Sequence, residues 1–394
     1  MTTLRLLSAS GELSDAALND AGAYTRPTSP LRSRVAYAAA HVVPKVHADN
    51  TPGRPADIDW DATLAFRRNV YSWGLGVADA MDTAQRNMGL DAAATRQLIA
   101  RSAEVAREEG GSVVVGVNTD HVDETHISLQ QVIDAYISQL EFTEQQGAGP
   151  VLMASRHLAR VAESADDYRR VYRAVLERAT TPVVLHWLGT AFDPELEGYF
   201  GSTEWPEAAE VLLDIINENP AKIAGVKMSL LNAESEISVR ERLPSAQSTQ
   251  GVRMFTGDDF NYVSLIGDSQ VGRRSYSDAL LGAFAAITPV ASAAIQALDA
   301  GDDAAYRRIL GPTEELSRQV FAAPTFYYKT GVAFLSWLNG HQPAFQMVGG
   351  LHSARSLPHL SRIVELANAS LALENPELAR ERWHGMLTLN GLQA

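Results

Sequence analysis

The chain has 394 residues, 46% hydrophobic and 20% charged, a globular composition long enough to bury a large core. A formal net charge of −14 speaks against a nucleic-acid partner, which would need a basic surface for phosphates. The chain contains no cysteine, so disulfides, thiolate metal sites and cysteine nucleophiles are excluded.

No apolar run is long enough to span a bilayer, and the opening residues Met1–Leu7 lack the apolar core of a secretory signal. The expectation is a cytoplasmic protein with no membrane partner. Residues 1–33 are polar and turn-rich, with Arg26-Pro27-Thr28-Ser29-Pro30, and read as an N-terminal extension. From residue 34 the pattern alternates. Runs of strand character fall at Arg34–Val43, Gly76–Met81, Val113–Val117, Val151–Ala154, Val183–Trp187, Ile223–Met228, Val252–Thr256 and Ala283–Thr288. Segments of helical period separate them, at Asp61–Trp73, Asp91–Glu109, Leu129–Gln146, Ala165–Ala179 and Trp205–Asn219. Strands alternating with helices imply parallel strands and crossovers, and eight of them predict a closed (β/α)₈ barrel over residues 34–300. No Gly-rich dinucleotide fingerprint follows the first strand. Past residue 300, Ala304–Ala322, Tyr328–Leu338 and Ser356–Ala372 read as a C-terminal helical appendage over 301–394.

In such a barrel the chemistry sits at the carboxyl ends of the strands. The strongest residue there is Lys227, closing Lys222-Ile223-Ala224-Gly225-Val226-Lys227. The chain uses arginine almost everywhere for positive charge, and only Lys45, Lys222, Lys227 and Lys329 are lysines. A strand-end lysine is partly desolvated, which lowers its pKa and favours the neutral amine that attacks carbonyls. The alternative is a lysine making a salt bridge in the barrel mouth. Other polar groups at strand ends are Asp82, Thr83, Asn118, His157, His186 and Asp258. Arg273 and Arg274, in the long stretch Phe260–Asp278, offer an anion anchor or a solvated or interface loop. The run from Asn118 to His126 is rich in His and carboxylates. It reads as a metal site using His121, Asp123 and His126 with His186, or as a βα loop ending in a helix cap. Tyr327-Tyr328-Lys329 reads as packing, with Lys329 exposed or paired.

Taken in order, these motifs resemble the dihydrodipicolinate synthase/N-acetylneuraminate lyase family. Gly225-Val226-Lys227 is similar to its Schiff-base strand and Thr256-Gly257-Asp258-Asp259 to the turn after the next strand. Asp59-Trp60-Asp61, Gly89-Leu90-Asp91, Thr181–His186 and Ala300–Ala305 extend the resemblance over most of residues 40–340. The resemblance implies a class I aldolase-type barrel with an imine at Lys227, no metal and no cofactor, and a homodimer or homotetramer. Departures are equally specific. His186 stands where the family has a proton-relaying tyrosine, and the arginine usual after it is absent from Trp187–Phe192. Of the family's keto-acid loop, Met81-Asp82-Thr83-Ala84-Gln85 keeps only Thr83, and the Asp82 charge opposes a carboxylate. The expected activity is a Schiff-base lyase or aldolase acting on a keto, hydroxy or sugar-derived acid other than plain pyruvate. In it Lys227 and His186 would be catalytic, and Asp82, Thr83, Asn118, His157, Asp258, Arg273 and Arg274 would bind substrate. A metal-dependent aldolase or sugar isomerase and a non-catalytic ligand-binding barrel are the alternatives.

Overall fold

The computed structural model describes residues 2–244, 251–267 and 276–393. The first elements are strands β1 (Thr3–Leu7) and β2 (Leu13–Ala17), paired antiparallel. This hairpin docks on the far end of the chain. The Leu7 amide donates to Ser361 Oγ at 2.7 Å, and Trp383 Nε1 donates to the Arg5 carbonyl at 2.6 Å. Leu4 and Trp383, both fully buried, make the contact apolar as well as polar.

Eight parallel strands then close a barrel: β3 (Ala36–Ala39), β4 (Gly76–Asp79), β5 (Val113–Val117), β6 (Gly149–Leu152), β7 (Val183–Leu188), β8 (Ile223–Ser229), β9 (Arg253–Thr256) and β10 (Asp278–Leu281). Each pairs with its sequence neighbour, and β10 pairs with both β9 and β3 to seal the ring. The (β/α)₈ architecture expected from the alternating pattern is present. One strand lies elsewhere than its expected position. Residues 283–288 carry no strand; the closing strand precedes them, and Gly282–Ala286 is helical. The alanines of this stretch favour a helix, while Ala279-Leu280-Leu281 supply the buried strand.

Period-two alternation splits the buried side chains into two layers. Ala39, Ala78, Val114, Val151, Val184, Phe255 and Leu280 fill the inside of the ring. Residues such as Val77, Val115, Val183 and Val226 face the helices. The helices start on side-chain caps. Asp59 caps Trp60–Ser72, Asp91 caps Ala92–Glu109, and Ser128 with Gln131 forms a capping box on Leu129–Gln145. Between the first helix and β4, Arg67 and Asp79 form a bidentate ion pair at 2.9 and 2.8 Å, both side chains sealed from solvent.

The C-terminal helices include Asp303–Leu310, Thr313–Val320 and Tyr328–Leu338. The first two were expected as one helix; Gly311-Pro312 breaks it, because proline cannot donate within a helix. Helix Tyr328–Leu338 lies across the barrel's carboxyl end, touching Gly282–Ala286 and the turn Asp82–Ala84. No helix among the described residues is long and apolar enough to cross a membrane.

Candidate active site

Lys227 stands in register with His186 on one side and Phe255 on the other. Val226 points to the helices, so strand alternation turns Lys227 into the barrel. Its side chain is 7% exposed. Burial holds the ammonium below its ordinary range, opposed by the carboxylates of Asp82 and then Asp259.

The two carboxylates reach the lysine from different walls. Asp259 follows β9, is 4% exposed, and accepts the Ala283 amide at 3.0 Å. Burial pushes its carboxyl up to about 8, against the pull of that amide and of Lys227. Burial works against the charged form of each group, and their mutual attraction opposes it. Asp82 opens the short turn after β4 and keeps part of its surface open. Burial raises its carboxyl, and Lys329 and Lys227 oppose the rise.

His186 is sealed beside Lys227. Its Nε2 lies 3.2 Å from Ser229 Oγ, and its Nδ1 has no partner among the described residues. Burial first, and the Lys227 charge second, hold the imidazole well below its usual range, so it is neutral.

Asp258 is turned away from this group. Its carboxylate accepts the amides of Phe260 and Asn261 at 2.9 and 3.1 Å and the Asn261 side-chain amide at 2.8 Å, fixing the turn after β9. The structure thus brings Asp259, which the sequence reading passed over, to the lysine in place of its neighbour. Thr83 Oγ1 lies 2.7 Å from the Tyr328 hydroxyl, and the Tyr328 ring stacks on Phe321 with centroids 4.4 Å apart. Gly282 leaves room for this stack: a Cβ there would meet both rings at 3.1 Å.

Lys329 corrects an expectation. It is 2% exposed and, among the described residues, has no ion pair, its Nζ lying 3.1 Å from Met88 Sδ. The scarcity of lysine that singled out Lys227 applied equally to this residue.

Asn118 and His157 are engaged within the loops. The Asn118 carbonyl oxygen accepts the Thr119 amide at 2.7 Å, and its nitrogen donates to the Ala154 carbonyl at 3.4 Å. His157 Nε2 donates to the Glu124 carbonyl at 2.9 Å, so its Nδ1 accepts the Thr119 hydroxyl at 2.7 Å. His121 Nδ1 accepts from Gln139 at 2.9 Å, and no three His, Asp or Glu side chains converge as a metal-ligand set among the described residues. Arg86 binds Asp120 in bidentate fashion and donates to the Gly116 carbonyl at 2.6 Å, fastening the loop after β4 to the loop after β5. Arg273 and Arg274 lie outside the described residues. A recess of about 830 Å³ opens at the barrel's opposite end, lined by Tyr37, Arg253 and Phe255 among others, away from these groups.

Solved structures share this barrel at low sequence identity. A putative dihydrodipicolinate synthetase from Pseudomonas aeruginosa is 15% identical, with a TM-score of 0.62 over 85% of this chain and 98% of that one. Dihydrodipicolinate synthase from Aquifex aeolicus is 13% identical, with a TM-score of 0.62 over 87% and 100%. The 4-hydroxy-tetrahydrodipicolinate synthase from Methylacidiphilum fumariolicum SolV is 14% identical, with a TM-score of 0.61 over 92% and 99%. The resemblance read from the motifs therefore returns as a shared fold. No curated protein matches the chain. Residues 4–392 match one family description throughout, and the chain belongs to that family, "Protein of unknown function (DUF993)".

Proposed function

We propose that the protein is a lyase of the class I aldolase type, in which Lys227 forms an imine with the carbonyl of a small-molecule substrate. The observation that carries this reading is a lysine inside the barrel at a strand's carboxyl end, buried and set between two carboxylates of raised pKa. The neutral Nζ attacks the carbonyl carbon, a C–N bond forms as the C=O π pair moves to oxygen, and a proton passes from the nitrogen to that oxygen to give a hydroxyl. Asp259, holding its proton near neutral pH, protonates the departing hydroxyl, which leaves as water. The resulting iminium accepts the electron pair of a breaking carbon–carbon bond, or of an adjacent C–H bond whose proton is removed, and becomes an enamine; for carbon–oxygen cleavage the enamine then expels the β-hydroxyl, whose oxygen keeps the C–O pair, takes a proton and leaves as water. Asp82 takes the proton released in that step. His186, neutral and with Nδ1 open, is a second proton acceptor for this step.

A keto, hydroxy or sugar-derived acid other than pyruvate remains the substrate class of this reading. A cytoplasmic homodimer or homotetramer is part of the same proposal. A screen of carbonyl acids for inactivation by borohydride tests it. Loss of activity or added mass only when both reagent and carbonyl compound are present supports the imine, and indifference to every carbonyl compound contradicts it.

A further inference from the structure

Tyr328 is a buried titratable group with no part in the chemistry above. The sequence reads it as packing, yet its contacts set it over the barrel's mouth. Its hydroxyl meets Thr83 Oγ1, after β4, at 2.7 Å. Its ring stands edge-on to Phe192, after β7, with centroids 5.7 Å apart. It also lies against Gly282, directly after β10, where a Cβ would meet the tyrosine Cε2 at 3.1 Å. Round the eight-strand ring, β4, β7 and β10 stand three, three and two places apart. One aromatic ring that touches all three loops lies over the middle of the mouth, above the interior into which strand alternation turns Lys227.

The hydroxyl is more than packing needs, since phenylalanine would stack on Phe321 and meet Phe192 as well. Tyr328 and Thr83 are 4% and 1% exposed, and among the described residues each side-chain hydroxyl makes this one hydrogen bond. Two hydroxyls carry two protons, and the bond between them uses one. The other is a buried donor, costly unless a ligand oxygen meets it. Burial first, and the Asp82 charge second, hold the phenol well above its ordinary range. It therefore keeps its proton and serves as a hydrogen-bond donor. Thr83 follows Asp82 directly, so the spare donor stands beside the base of the proposed reaction. In carbon–carbon cleavage the electron pair of the breaking bond passes to the iminium. The hydroxyl on the departing carbon gives its proton to the Asp82 carboxylate, and its oxygen becomes a carbonyl oxygen. In carbon–oxygen cleavage the same β-oxygen leaves with the electron pair. Either route calls for a donor to that oxygen.

We propose that Tyr328, with its phenol oxygen accepting the Thr83 hydroxyl, donates a hydrogen bond to the oxygen on the substrate carbon β to the carbonyl, and that the substrate is a β-hydroxy carbonyl compound. The inference rests on the imine reading above and adds the group that binds at the bond to be broken.

The test is borohydride trapping on the full chain with two matched pairs of probes. One is pentan-2-one with 4-hydroxypentan-2-one, the other 2-oxopentanoate with 4-hydroxy-2-oxopentanoate, and within each pair only the β-hydroxyl differs. In a pair that labels, the wild-type protein should be half-labelled by the hydroxylated probe at a concentration about 10-fold below that of its partner, as one buried hydrogen bond gained on binding entails. Tyr328→Phe and Thr83→Val should each bring that ratio towards one, and Thr83→Ser should keep it, with melting curves confirming the fold. Equal half-labelling concentrations within every pair in the wild-type protein, a reading that needs no variant, overturn the inference. So does a folded Tyr328→Phe protein that keeps the ratio, and a folded Thr83→Val protein that keeps it overturns the positioning by Thr83. No adduct with any probe overturns the imine reading and this inference together, whereas adducts without a preference for the β-hydroxyl overturn this inference alone.

Discussion

Lys227 runs directly over Gly257: a Cβ built at position 257 would lie 2.9 Å from Lys227 Cε, and also 2.2 Å from Ser229 Oγ and 2.7 Å from the Met228 carbonyl. The glycine after β9 is therefore the space through which the lysine reaches the mouth. Gly257→Ala should displace the lysine and lower the rate of imine formation by about 100-fold, as an ångström-scale misplacement does. Overpacking should also cost ~1–3 kcal/mol of stability. Trapping kinetics beside denaturant unfolding check both, and a fully active alanine variant would remove Gly257 from this role.

Asp258 and Asp259 are adjacent in sequence and should separate in function. Asp259→Asn keeps an acceptor for the Ala283 amide but cannot carry a proton, and should slow turnover by about 10²–10⁴-fold with the fold intact. Asp258→Asn keeps the acceptor for the Phe260 and Asn261 amides but sets a donor against the Asn261 side-chain amide, and should show mainly as a loss of ~1–2 kcal/mol in stability. Steady-state kinetics and melting curves on the pair distinguish the roles, and reversed outcomes would exchange them.

The sealed Arg67–Asp79 pair is a structural counterpart to the site. Ser102 Oγ donates to Asp79 at 2.5 Å, and Arg67 also donates to the His41 and Thr63 carbonyls at 2.5 and 3.0 Å. Asp79→Ala strands a buried guanidinium and should cost ~3–5 kcal/mol, while the double variant Arg67→Met with Asp79→Leu should recover much of the loss. Urea unfolding measures both, and a mild single variant would show that solvent reaches the pair.

A pH dependence follows from Glu236, buried on helix Ala233–Arg242, where Oε1 accepts the Ser277 hydroxyl at 2.7 Å. Burial pushes its carboxyl up to about 8, against its hydrogen bonds from Ser277 and Thr256. A carboxyl whose folded value exceeds its unfolded value, ~4.3, gives a contribution fully present below pH ~4 and lost as pH rises towards about 8. Glu236→Gln does not titrate. Its melting temperature relative to wild type should climb between pH 4.5 and about 8 and level off beyond. A difference that stays flat with pH would place a normal carboxyl there.

The fold was legible because each barrel strand except the last combines β-branched or apolar runs with helices at clear period, from Val113–Val117 with its three consecutive valines to Ile223–Ser229. The last strand was misplaced because Ala283–Ala286 is as apolar as Ala279–Leu281, and only packing decides which of two short apolar runs pairs. Lys227 was legible from composition and strand position. The choice between Asp258 and Asp259 was not, since after a strand ends the alternation that tells inside from outside is replaced by turn geometry. Lys329 was missed for a different reason: it arrives from a helix nearly 250 positions after Asp82, and no local pattern announces a tertiary neighbour.

The most direct measurement is intact-mass and peptide mapping of the protein after borohydride reduction with an oxo acid. The account predicts one reduced adduct per chain, located on the peptide containing Lys227 and absent from Lys227→Met. An adduct mapped to another lysine, or one that survives in Lys227→Met, would contradict it.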